Sequence, residues 1–147
     1  AAINHLAWIG EQYGMSYKDR FPGLSGRRLA LKTGMSVLRA YDGELSDAIL
    51  SELETVPGVC IHGITDRNRL NERVPTVSFT WEGRHPREIA TALGSQGIFV
   101  WDSNYYALAV TTRLGLEGKG GMVRVGAAFY NTLDEIRRLG DALRGLS

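Results

Sequence analysis

Apolar residues recur at three- or four-residue steps over more than twenty-five positions: Leu31, Met35, Leu38, Tyr41, Leu45, Ile49, Leu53 and Val56. That spacing draws one stripe along a single helix. The helix is predicted to start near Leu24-Ser25 and to stop at Thr55-Val56-Pro57-Gly58, spanning 24–57. Gly34 and Gly43 weaken it by about 1 kcal/mol each relative to alanine, so a bend is expected there. A helix this long exceeds what one compact domain in a chain of 147 residues needs. It predicts a rod that bridges two bodies.

The segments on either side differ in kind. Residues 1–12 form a short helix in this reading, with Ile3, Leu6, Ala7 and Ile9 or Gly10 inward, and breaks follow at Tyr13-Gly14 and Phe21-Pro22-Gly23. Such a helix lacks a partner of its own, so residues 1–23 are expected to belong to a larger body. After the rod, strands and helices alternate. VCIHG (59–63), VPTVSFTW (74–81), IFVW (98–101) and MVRVGAAF (122–129) carry strand patterns, with a charged loop over 66–73. Pro86 opens a helix over Arg87–Ser95, with Ile89, Ala90 and Leu93 inward. Residues 102–118 are loop or short helix. Thr132 caps a last helix, with Asp134 and Glu135 in its first turn and Ile136, Leu139 and Leu143 inward. The fold class that follows is α+β: an antiparallel or mixed sheet of three to four strands in 58–147, helices on one face, preceded by the long linking helix.

Composition narrows function by exclusion. Seventeen basic residues stand against sixteen acidic ones, which argues against a general binder of nucleic-acid backbones. The single cysteine, Cys60, rules out an internal disulfide and any cysteine-based zinc set. Its apolar neighbours Val59 and Ile61 predict a buried, inert thiol. No apolar run approaches the roughly 18 residues of a membrane span, and no signal peptide is recognisable. The expected location is the cytoplasm. The histidines His5, His62 and His85 lack metal-ligand spacing, and none has a neighbouring nucleophile to serve.

Two places could carry chemistry. Arg124 sits in a strand between Val123 and Val125, which point to the opposite face. An arginine there needs a partner: a protein carboxylate in a structural ion pair, or the carboxylate of a ligand, which its fork matches at two points. Trp101-Asp102-Ser103-Asn104-Tyr105-Tyr106, just past a strand end, is either a packed surface loop or a set of binding groups. Glu117-Gly118-Lys119-Gly120-Gly121 lacks the spacing of a phosphate loop and is taken as a flexible turn.

Two longer stretches, RVPTVSFTWEGRHPREIATALGSQGIFVWDSNYYA and GGMVRVGAAFYNTLDEIRRLGDAL, resemble the C-terminal region of class V aminotransferase-like enzymes, the cysteine desulfurase-like proteins among them. The segment GRRLALKTGMSVLRAYDGELSDAILSELETVPGVCIHG resembles the helix linking the two domains of that family and the first strand of its small domain. The resemblance is strongest over 73–143, and its most specific phrase runs from Arg124 through Tyr130-Asn131-Thr132. It implies the small domain of a fold-type I pyridoxal-phosphate enzyme, with 1–23 a remnant of the large cofactor domain. The parent would be a homodimer acting on an amino acid, and the missing N-terminal large domain would hold the cofactor and its Schiff-base lysine. Lys18, Lys32 and Lys119 do not match that lysine's motif, so no covalent cofactor and no catalytic residue are expected on this chain. Arg124 matches the family's arginine that grips the substrate α-carboxylate, while Asn104 and Tyr105 are placed in the pocket wall.

One departure matters. In the desulfurases the strand leads into a loop of the form R-x-G-H-H-C-A; here Trp101 to Ala107 occupy it, and Tyr106 stands at the cysteine position. A phenol cannot attack a substrate sulfur as a thiolate does. An aminotransferase, lyase or epimerase on an amino acid is therefore as consistent with the sequence as a desulfurase. The competing reading is a stand-alone α+β module that dimerises or binds an amino acid without reacting. An RNA-binding sheet is a third, but Phe79, Trp81 and Phe99 suit core or interface positions better.

Overall fold

A computed structural model describes residues 1–146. Contacts divide the chain into two compact units, Ala1–Glu44 and the portion from Leu45 onward. The predicted long helix forms as α2, Gly26–Glu54, 29 residues without interruption at Gly34 or Gly43. Its first part belongs to the first unit and its last part to the second.

Within the first unit, α1 (Ala2–Tyr13) packs on the start of α2, and a 3₁₀ helix at Met15–Arg20 lies between them in the chain. Glycine allows the approach. A Cβ on Gly10 would lie 1.8 Å from the Ala30 carbonyl oxygen, and one on Gly34 would lie 2.3 Å from that of Leu6. Buried Thr33 donates to the Leu29 and Ala30 carbonyls within its own helix. Because the helices meet through these residues, Ala7, Ile9 and Gly10 are the buried face of α1. Ile3 and Met35, expected inward, are more than half exposed. With Leu6, Leu24 and Leu31 they line an apolar groove of about 390 Å³.

The second unit is the α+β layer. Strands β1 (Val59–His62), β2 (Thr76–Trp81) and β3 (Val123–Gly126) form one antiparallel sheet in the order β1-β2-β3. Val77, Phe79, Trp81, Val123 and Val125 point to one face and are buried. The last turns of α2 supply Leu45, Ile49, Leu50 and Leu53 to the same core. Helix α3 (Pro86–Ser95) adds Ile89 and Leu93, and α5 (Leu133–Arg144) adds Ile136, Leu139 and Leu143. Both helices start on side-chain caps: His85 accepts from Arg87 N–H just before Pro86, and Thr132, the cap that the sequence predicts, forms a reciprocal capping box with Glu135. Arg144 ties α5 to α2 by donating to Glu52 at 2.8 Å. The charged loop over 66–73 is ordered as short helical turns, Arg67–Glu72, capped by Asp66.

The fourth strand over 98–101 does not form. Gly97 turns the chain at φ 74°, and only Trp101 reaches β3, in a single antiparallel pairing with Arg124. Phe99 is consequently 89% exposed, not a core group.

The two α2 glycines should respond oppositely to alanine. A Cβ at Gly43 meets nothing within 4 Å, so Gly43→Ala should stabilise the chain by about 1 kcal/mol in urea denaturation. Gly34→Ala should destabilise it, because overpacking against a backbone carbonyl costs about 1–3 kcal/mol and outweighs the propensity gain.

Candidate functional site

The pleat that buries the valines leaves the other face of the sheet polar. Cys60, His62, Ser78, Thr80 and Arg124 all lie on it. The register sets His62 opposite Ser78, and Ser78 opposite Arg124. Trp101 extends this row past β3 through its pairing with Arg124.

Arg124 is half-buried, and its backbone is fixed from outside: its N–H donates to Trp101 O at 2.7 Å, and its carbonyl accepts from Trp101 N–H at 3.0 Å. The guanidinium carbon lies 4.6 Å from the centroid of the Tyr105 ring and 5.7 Å from that of Trp101. Both are cation–π distances. Among the described residues no carboxylate pairs with this guanidinium and no side-chain hydrogen bond engages it. Among the described residues the structural ion pair considered from the sequence therefore does not form. The side chain keeps its row of N–H donors available.

Tyr105 is held at its far end, where its hydroxyl donates to Ser78 Oγ at 2.8 Å. It belongs to a turn in which Ser103, Tyr105 and Tyr106 have φ of 78°, 35° and 66°. Each such residue costs on the order of 1–3 kcal/mol and persists only where its surroundings over-determine it. Asn104 is one of those surroundings. Its Oδ1 accepts from Tyr106 N–H at 3.2 Å, and its Nδ2 donates to Glu117 at 2.9 Å. Thr111 on α4 (Leu108–Arg113) donates to the other oxygen of Glu117. Hydrogen bonds from Thr111 and Asn104 hold the Glu117 carboxyl below its ordinary range. Gly121 lies against the turn so closely that a Cβ would meet the Ser103 carbonyl at 2.3 Å. The stretch 117–121, taken from the sequence as a flexible turn, is thus the fastening of the Tyr105 loop. Tyr106 projects outward, 99% exposed.

Cys60 is exposed, contrary to the buried thiol expected from its neighbours. Val59 and Ile61 point to the apolar face, which leaves Cys60 on the open one, and β1 is an edge strand. It lines a cleft of about 560 Å³ with Thr80, Trp81, Arg84, His85 and Lys119. Arg124, Asn104 and Tyr105 do not line that cleft. His62 meets Thr80 Oγ1 through Nε2 at 3.0 Å, and burial pushes its pKa down. Among the described residues no three His, Cys, Asp or Glu side chains gather as a metal site. None of the helices described is long and apolar enough to cross a membrane.

Of the residues singled out from the sequence, the fold brings Arg124 and Tyr105 into contact and places Asn104 in the turn behind them. Sequence reasoning missed Ser78, Glu117 and Thr111. Ser78 was legible in principle, since it alternates with Val77 and Phe79. The Glu117 partnership joins residues six and thirteen positions away with no periodic signal.

The family model described as Aminotransferase class-V matches residues 26–139. A probable cysteine desulfurase of Mycolicibacterium paratuberculosis is 33% identical over 109 residues, 74% of this chain and 15% of that protein. A cysteine desulfurase of Synechococcus elongatus is 33% identical over 113 residues, 77% of this chain and 17% of the relative. Among solved structures, an apo cysteine desulfurase from Thermococcus onnurineus NA1 superposes with a TM-score of 0.64 at 26% identity, covering 82% of this chain and 28% of that one. The chain thus spans less than a third of each of these proteins.

The lowered pKa of His62 gives stability a direction with pH. The unfolded imidazole takes up a proton near 6.5, the folded one only at lower pH. The unfolded state therefore binds more protons in that window, and stability is full above it and falls as pH drops through it. Urea midpoints at about pH 5 and about pH 7.5 should differ less in His62→Gln than in the unaltered chain. An equal difference would remove His62 as the source.

Proposed function

Because this chain belongs to the class V aminotransferase family, we propose that it forms the part of an amino-acid-processing active site that grips the substrate's α-carboxylate. The observation that carries this reading is the Arg124 guanidinium, set against the Tyr105 and Trp101 rings on the open face of the sheet with no carboxylate partner among the described residues. A planar fork oriented by its surroundings pays little further entropy on meeting a two-oxygen ligand. Tyr105 forms one wall beside it, and Asn104 lines the same turn. In this reading residues 58–147 are the small C-terminal domain, 24–57 the interdomain helix, and 1–23 the edge of a large domain. The enzyme is a cytoplasmic homodimer.

Pyridoxal phosphate, which the family reading implies, supplies an electron sink for carbanion chemistry when bound. The lysines of this chain do not fit its Schiff base. Lys18, Lys32 and Lys119 are all exposed, whereas a lysine used this way is activated by desolvation or a cationic neighbour. The cofactor is assigned to the large domain. What this chain contributes is orientation: Arg124 binds the carboxylate, and Tyr105 keeps water from one side of the pair. Tyr106 at the position of a desulfurase nucleophile favours an aminotransferase, lyase or epimerase over sulfur abstraction, because its hydroxyl offers no thiolate.

In the enzyme containing this chain, Arg124→Ala should weaken amino-acid binding by about 2–5 kcal/mol, with the cofactor's absorption spectrum unchanged. Arg124→Lys should recover only part of that loss, since an ammonium cannot make the two-point contact. Unchanged amino-acid affinity in Arg124→Ala would remove the assignment.

A further inference from the structure

We infer that Glu117 is a positioning residue for Arg124: its carboxylate holds the strained turn that keeps the Tyr105 ring on the guanidinium. The functional part of this inference rests on the reading of Arg124 as a carboxylate grip. The contacts run without a gap. Glu117 accepts from Thr111 with one oxygen and from Asn104 Nδ2 with the other, and Asn104 Oδ1 in turn accepts from Tyr106 N–H. Tyr105 sits between Asn104 and Tyr106, reaches across to Ser78 Oγ, and lays its ring 4.6 Å from the Arg124 guanidinium.

Three features point to a positioning role and not to incidental surface bonding. The turn has non-glycine residues at positive φ at Ser103, Tyr105 and Tyr106, so it needs outside anchors to persist. The anchor is itself anchored: Thr111 is fully buried, which fixes the donor that orients Glu117. An ionised carboxylate is also the side chain suited to the place, because it accepts from two donors at once and donates nothing. A glutamine would offer one acceptor and one donor to the same pair.

The test uses the enzyme containing this chain, labelled with nitrogen-15 at arginine, following the Arg124 side-chain Nε–H signal by NMR while L-alanine is added. The Tyr105 and Trp101 rings should shift that signal away from those of solvent-exposed arginines. In Glu117→Ala and in Thr111→Val the signal should move toward the exposed arginines, and the alanine dissociation constant should rise about threefold or more. Their double variant should lose no more than the worse single one, because both act through one chain of contacts. Glu117→Gln should fall between. An Arg124 signal that stays in place in folded Glu117→Ala overturns the positioning role. If Glu117→Ala does not fold, Thr111→Val decides, since it leaves the carboxylate present. Alanine binding retained in full while Arg124→Ala abolishes it also overturns the inference, and the carboxylate reading stands. Alanine that never moves the Arg124 signal in the unaltered enzyme overturns the carboxylate reading and the functional part with it.

Discussion

The pairing of Val77 and Phe79 in β2 with Val125 and Val123 in β3 governs what the other face of the sheet can present. Side chains alternate strictly along a strand, so burying these four sends Ser78 and Arg124 together to the open side. A slip of one residue would drive a guanidinium into the core and expose the valines. The register is therefore held by several kilocalories of burial under α3, α5 and the end of α2. The position of Arg124 inherits that rigidity without contributing to it. A side chain borne on a core strand is placed more tightly than one on a loop can be.

The loop beside Arg124 is held by different means. The turn at 103–106 packs little apolar surface, and Tyr106 is almost wholly in solvent. It keeps a costly backbone through polar ties to Ser78, Glu117 and the backbone around Met122. Such ties are sensitive to single substitutions, whereas the sheet beneath is not. Ion pairs elsewhere carry less weight. Arg67 meets Asp47 and Glu54 at 2.7 Å, but all three side chains are at least a third exposed. Exposed pairs of this kind are worth about 0–1 kcal/mol, so they fasten the 67–72 turn without deciding the fold.

Much of the architecture was legible in the residues. Helix α2, the starts of α3 and α5, and the three strands follow from apolar spacing, from Pro86 and Thr132, and from alternation in 74–81. Failures fell where a segment's environment outweighed its composition. IFVW has strand composition, but the turn at Gly97 lets only Trp101 reach a partner. Cys60 has apolar neighbours, yet those neighbours claim the inner face and leave it outside. Met35 lies on the helical stripe, but α1 meets α2 through Gly10, Gly34 and Thr33 instead.

Arg124 was marked by the sequence alone, because a charge between two valines in a strand has to find a partner, and period-two alternation tells which face it takes. Family membership was equally legible, carried by the phrase from Arg124 to Thr132. What stands over and beside that arginine was decided only by tertiary structure. Tyr105, Ser78, Thr111 and Glu117 lie up to 46 positions from Arg124 in the chain, and no local period relates them. Their meeting depends on strand register and on loop closure around glycines such as Gly121. These are properties of the folded backbone that residue order constrains only through the whole fold.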